Sequence, residues 1–410
     1  MNSLNSLQYK KWIRVAVFNF MIAASMGLLL RAAFVWEVSW LDYRKMLHGH
    51  SHIAMLGWIY LALYALIVHA FVPKEKQESP FYNRLFWVTQ FSVVGMMISF
   101  PIQGYDTFSI IFSTAHLLLS YVFGIKIWRD TKPINSFSIK LLRISIVTLF
   151  ISSIGLWAMP IIMNTAASQT AWYYIAVQFY LHFQFNGWFI LALIALIFKY
   201  LIEDKQLKIE AKDYQLFLGF YLPALLFTFF HVLTWAYGRS FSYIINGVGV
   251  VFQLIAILIL FKYLLVTAFN NIKGKSWRML IVFAFLSLIF KTVIQAVLVI
   301  PEWAKISTEI RNFMIGYIHL INLGILSSGL FYLLRNHLRV LDFKWEMGLF
   351  LFGVFATEIY LFLQGYYYWQ ALGRLTNYHF VLFLLSIPIL LGIVIVFFRS
   401  LSDKKVLNNL

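Results

Sequence analysis

Residues 44–58 read RKMLHGHSHIAMLGW and set His48, His50 and His52 at the mouth of a long apolar run. Imidazoles are costly inside a bilayer, so three at one helix mouth mean either solvation in the headgroup layer or a chemical task. His48 and His52 share a helical face at i, i+4, whereas His50 points roughly the other way. At most two of the three face one site. Which reading holds depends on where the other histidines fall among the spans.

The composition settles the class. Of 410 residues, 61% are hydrophobic, 12% charged and 19% aromatic, which lies far outside soluble norms and suits aromatic belts at two membrane faces. The chain has no cysteine, which excludes disulfides, thiolate metal ligands, iron–sulfur clusters and haem attached through a Cys pair. Twelve apolar stretches reach the roughly 20 residues needed to span a membrane: 13–35, 47–72, 84–103, 108–128, 140–163, 170–199, 214–236, 243–269, 277–300, 310–334, 347–369 and 378–399. The first is too long for a signal peptide and lacks a small-residue cleavage site, so it reads as a retained helix. The expected fold is an all-α polytopic membrane protein of twelve transmembrane helices, one transmembrane domain over 1–410. No loop is long enough for a further domain, and no internal duplication is evident, which counts against repeat-built transporters.

A net charge of +17 could indicate nucleic acid, but the basic residues sort by loop. Lys10, Lys11 and Arg14, then Lys74, Lys76 and Arg84, and later groups such as Lys199, Lys205, Lys208, Lys273, Arg335, Arg339, Lys404 and Lys405 occupy one set of alternate loops. The positive-inside rule then puts both termini in the cytoplasm. The partner implied is the lipid bilayer, with no nucleic acid. Without a transit-like leader, a bacterial inner membrane is expected.

This orientation places the histidines by depth, at about 1.5 Å of rise per residue. His48, His50 and His52 lie at the outer end of span two, His116 roughly two turns into span four, and His182 about three turns into span six. His231 is near the outer end of span seven, His319 some two turns into span ten, and His379 opens span twelve. Only His69 and His337 fall at cytoplasmic ends. Histidines from six spans therefore share the outer half of the membrane, and neutral imidazoles at one depth suit a metal or haem held between helices.

Twelve helices, internal termini and outer-half histidines on spans two, six, seven and ten resemble the catalytic subunit of the haem–copper oxidases. HSHIAMLG at 50–57 resembles the entry motif of the NnrS family of membrane haem and copper proteins linked to nitric oxide stress. The resemblance implies an oxidase-like bundle with a non-covalent b-type haem clamped between His52 and His319, and His48 as the rival of His52. It implies copper as an optional second metal at His182 and His231; His116 has no counterpart in the oxidases and reads either as a replacement ligand or as structural. It places Arg374, and with it Arg44, at the haem propionates; for these two, and for Arg31 and Arg239, snorkelling to headgroups stands beside that reading. An electron-donor protein or quinol and a small gas would be the partners. The sequence departs from the oxidases at Tyr317, where a haem-binding histidine is expected, and at HFQFNGW (182–188), which lacks their His-Pro-Glu signature.

Lys291 and Glu358, both mid-span, read either as a structural ion pair or as a polar lining or proton pathway. The alternative function is a permease or metal-ion transporter that captures its ion at HGHSH.

Overall fold

The computed structural model describes residues 2–165, 170–204, 210–238, 240–271, 275–335 and 344–402. Arg239, His337, Lys205, Lys208, Lys273, Arg339, Lys404 and Lys405 lie outside the described residues. Twelve helices are long and apolar enough to cross a membrane: α1 Gln8–Ala32, α2 Tyr43–Phe71, α3 Pro80–Gln103, α4 Thr107–Asp130, α5 Phe137–Met163, α6 Trp172–Glu203, α7 Ala211–Tyr237, α8 Ser240–Lys262, α9 Trp277–Val297, α10 Arg311–Leu334, α11 Trp345–Trp369 and α12 Tyr378–Leu401. The described residues contain no strand. The protein is an all-α, polytopic integral membrane protein.

The chain divides by its contacts into two compact units. The first holds residues 1–134, 275–280 and 322–410; the second holds 135–274 and 281–321. The boundary passes through α10 between Ile321 and Asn322.

Three helices differ from the rest. Over their most apolar stretch α2, α6 and α10 are 83%, 89% and 78% buried, against at most 50% for any other span. Each begins as an ordinary α-helix and widens immediately after a histidine into a π-helix: Ile53–Tyr60 after His52, Phe183–Phe189 after His182 and Leu320–Ser327 after His319. Such i→i+5 segments are rare, usually a single turn, and frequent at functional sites. Each copy carries glycine five residues beyond its histidine, at Gly57, Gly187 and Gly324, and the histidines are spaced by 130 (52 to 182) and 137 (182 to 319) residues. The chain therefore does contain an internal repeat, three copies of His-x4-Gly on every fourth span, where inspection of the sequence finds no duplication.

The repeat extends to the helix that precedes each of the first two copies. A Cβ on Gly57 would come within 3.0 Å of Val93 and 3.2 Å of the Asn19 Cβ of α1; one on Gly187 would come within 2.6 Å of the Thr148 Cβ of α5. Asn19 and Thr148 are 129 residues apart (148 − 19), nearly the repeat length. Glycine is required at both places because a neighbouring helix fills the space of a side chain.

Widening a helix disturbs its backbone ladder, and buried carbonyls need other donors. The residue before the glycine supplies one such carbonyl in each copy. Leu56 is a hydrogen-bond partner of the His116 ring, the Asn186 carbonyl accepts from Tyr221 Oη at 2.8 Å, and the Leu323 carbonyl accepts from Ser328 Oγ at 3.1 Å. Asn19 Nδ2 also donates to the Gly57 carbonyl, at 2.9 Å. Trp58, which follows Gly57, stacks on Phe20 at 4.7 Å and donates from Nε1 to Ser327 Oγ at 2.9 Å.

Charges are satisfied at the basic-loop ends. Asp130 meets Lys76, Lys126 and the Tyr82 hydroxyl, and Glu203 accepts from the backbone and side chain of Ser138.

Candidate functional site

In the first unit the site starts at the N-terminus of α2. Asp42 precedes the helix and accepts from the Lys45 N–H at 3.1 Å, which fixes where the first turn begins. The histidines then fall on two faces. His50 turns toward α1, where its Nδ1 donates to the Ala23 carbonyl at 2.8 Å. Gly27 makes room for it, since a Cβ there would lie 2.8 Å from His50 Cε1. His48 and His52 lie on the other face. The Nδ1 of His52 donates to the His48 carbonyl at 2.9 Å, so Nε2 carries the lone pair. The His52 ring stacks on Phe100 at 4.2 Å.

The loop between α3 and α4 covers this face. Gly104 has φ +71°, and Asp106 caps α4 through a reciprocal pair with Ser109. Between them Tyr105 reaches over the two histidines, its ring 4.6 Å from that of His48 and its hydroxyl 3.3 Å from His52 Nε2. Sequence reasoning missed Tyr105; the only signal was an aromatic residue in a short loop at the level of the HGHSH cluster.

His116 of α4 completes the set. It is 2% exposed, and His52 acts on it electrostatically. Its partner is the Leu56 carbonyl, and its Nε2 is buried with no hydrogen-bond partner. His52 and His116 thus have the same design: Nδ1 is tied to a backbone carbonyl and Nε2 bears the lone pair, the arrangement that orients an imidazole for a metal.

Of the arginines expected at propionates, Arg44 and Arg374 are both exposed. Arg44 acts on His48 and Arg374 on His379. Arg31 is turned inward. Its Nη1 bonds to Ser386 and, at 3.4 Å, to the Leu382 carbonyl, and its charge acts on Glu358. Glu358 is 6% exposed and neither carboxyl oxygen has a hydrogen-bond partner. The cation of its own unit that acts on it is Arg31, whereas Lys291 belongs to the second unit.

The second unit contains His182, His231 and His319. His182 presents the opposite nitrogen from His52, because its Nε2 donates to the Leu225 carbonyl at 2.8 Å, leaving the lone pair on Nδ1. That carbonyl lies just ahead of a break in α7 between Phe227 and Phe230. The break is where α8 comes close at Gly249, whose Cβ would lie 2.7 Å from that of Phe227. His231 follows the break, and its Nδ1 is buried without a hydrogen-bond partner. His231 and Lys291 both act electrostatically on His182.

By unit, His52 and His116 belong to the first, and His182, His231 and His319 to the second. Among the described residues, no three His, Asp or Glu side chains form a group that could hold a metal ion. No family model matches the chain, and no curated protein matches it.

Proposed function

We propose that the protein is an integral-membrane haem protein whose first unit offers His52 and His116 as the residues that would hold the iron. One observation carries the reading. Two imidazoles in electrostatic contact have each spent Nδ1 on a backbone carbonyl, and the Nε2 of His116 is buried with nothing to bond. A buried polar atom without a partner is costly, and a metal is one of the few groups that accepts a lone pair there. With no cysteine in the chain, the haem would be a non-covalent b-type group. It would supply a redox-active iron for electron transfer or for a small gas such as nitric oxide or dioxygen, with a quinol or a protein as electron donor. The chain's own part is to orient the imidazoles from π-helical and helical backbone, to exclude water with Phe100 and Tyr60, and to cover the outer side with Tyr105.

Copper at His182 and His231 fits less well. His182 has already committed Nε2, and the ammonium of Lys291 acts on the same ring. The permease reading, with HGHSH capturing a metal ion, has one side chain fewer to draw on, because His50 is docked into α1.

The test is the visible spectrum of protein expressed with ample haem. The wild type should purify coloured, with sharp bands on reduction, and His52→Ala or His116→Ala should remove or shift them. His319→Ala tests the ligand assignment that the resemblance implies. A colourless wild type overturns the haem reading; bands that survive both first-unit substitutions overturn the assignment.

A further inference from the structure

At the basic-loop end of the first unit a groove of about 330 Å³ runs between the first turns of α3 and the last turns of α4. Of its lining, Leu85 is buried whereas Val88 and Val122 are exposed, so the groove opens sideways toward lipid. Its apolar part reaches Val88, eight residues into α3, and Leu119, eleven residues before the end of α4 at Asp130. Helical rise turns these into depths of about 12 and 16 Å, near half of a hydrocarbon core of roughly 30 Å. The slot therefore has the length of an acyl chain from one leaflet.

The polar groups of the groove gather at its shallow end. Ser79 precedes α3, and Arg84 stands four residues past Pro80. Among the described residues Arg84 has neither a hydrogen-bond partner nor a carboxylate at ion-pair distance. Ser79 Oγ accepts from the Phe81 N–H at 3.3 Å, which leaves its own hydroxyl proton to donate. The Phe81 ring forms another wall, and Lys126 Nζ lies 5.4 Å from its centre. The nearby carboxylate of Asp130 is already shared by Lys76 and Lys126. Glu75 and Glu78 of the preceding loop are exposed and do not line the groove. A free guanidinium and a hydroxyl at the mouth of an apolar slot complement a phosphodiester whose acyl chain enters the slot. A zwitterionic headgroup would bring its own cation toward Arg84 and Lys126, whereas an anionic one brings none. We infer that this groove is a binding site for an anionic phospholipid of the adjacent leaflet, with its phosphate at Arg84 and Ser79 and one acyl chain between Val88 and Val122. The site does not depend on the haem reading, whose histidines do not line the groove.

The test is native mass spectrometry of the full chain released from detergent, titrated with dioleoylphosphatidylglycerol or dioleoylphosphatidylcholine. The wild type should retain one phosphatidylglycerol tightly and bind phosphatidylcholine several-fold more weakly. Arg84→Gln should weaken phosphatidylglycerol by roughly fivefold, as expected for one basic residue facing an anionic headgroup, and leave phosphatidylcholine unchanged. Arg84→Lys should retain most of the preference. Val88→Trp, which fills the slot from an exposed position, should weaken both lipids. Arg129→Gln removes an exposed cation outside the groove and should leave binding as it is, which separates a built site from a diffusely basic surface. Arg84 and Val88 are exposed, so both variants should melt with the wild type. Equal retention of the two lipids by the wild type overturns the site. So does unchanged phosphatidylglycerol binding in either Arg84→Gln or Val88→Trp, or an equal loss in Arg129→Gln. A lipid-free dimer that Val88→Trp disrupts overturns it in favour of a second copy of the chain.

Discussion

The α2 and α6 helices carry the same local design and end with opposite ring nitrogens on offer. Each has a histidine, a π-helical turn, a glycine five residues on and a buried tryptophan after it, at His52, Gly57 and Trp58 or at His182, Gly187 and Trp188. In α2 the histidine bonds within its own helix, Nδ1 to the His48 carbonyl, and leaves Nε2 for Tyr105. In α6 it bonds across to α7, Nε2 to the Leu225 carbonyl, and leaves Nδ1. The π-helix sets where an imidazole stands, but the nearest unclaimed carbonyl sets which nitrogen it presents. In α2 that carbonyl is local; in α6 it comes from a neighbour broken between Phe227 and Phe230. One local design thus presents different ring nitrogens in its first two copies.

The largest expected effect tests whether the two copies are packed alike. Gly187→Ala drives a Cβ to 2.6 Å from the Thr148 Cβ, a rigid point, whereas Gly57→Ala meets its nearest neighbour at 3.0 Å. Overpacking of this kind costs about 1–3 kcal/mol, with Gly187→Ala at the upper end and Gly57→Ala at the lower. Thermal unfolding in detergent measures both. A greater loss for Gly57→Ala would mean that the glycines of the two copies are not equivalent.

A smaller effect isolates the nitrogen on offer. Tyr105→Phe removes one partly exposed hydrogen bond, worth about 0.5–1 kcal/mol, and frees His52 Nε2. Modification of His52 by diethyl pyrocarbonate, followed by mass spectrometry, should accelerate in this variant. His182, whose Nε2 is held by the Leu225 carbonyl, should react at an unchanged rate. Equal acceleration at both would show that the substitution loosens the protein rather than uncovering one nitrogen.

The smallest effect concerns the start of α2, for which α6 has no acidic equivalent, since Ala171 precedes it. The Lys45 backbone N–H holds the Asp42 carboxyl below its ordinary value. A carboxyl depressed in the folded state contributes stability that is complete above its unfolded value, about 3.9, and is lost as the pH falls through the folded one. The melting temperature of Asp42→Ala should therefore lie slightly below wild type at pH 6 and converge with it in strong acid. A difference that persists to pH 2 would assign the effect to lost packing instead.

The sequence by itself determined the class and the twelve spans, because the bilayer imposes span length and backbone closure on any chain that crosses it. It also determined where each histidine stands along its helix, since helical rise converts residue number into distance. Boundaries moved by a few residues, as at α1, expected to reach 35 and ending at Ala32. Helical geometry hides the repeat. Five residues along an α-helix turn about 140°, so on an α-helix His and Gly face different ways, and the wider winding that brings their faces closer is not written in the spacing. The direction of each imidazole also awaited the tertiary structure, because Ala23, His48 and Leu225 compete as carbonyls and no spacing ranks them. Arg31 likewise looked like a snorkelling residue until Ser386 and Leu382 of α12 drew it inward. Backbone polar groups must be paired wherever water is excluded, and the side chains that pair them come from helices distant in the chain.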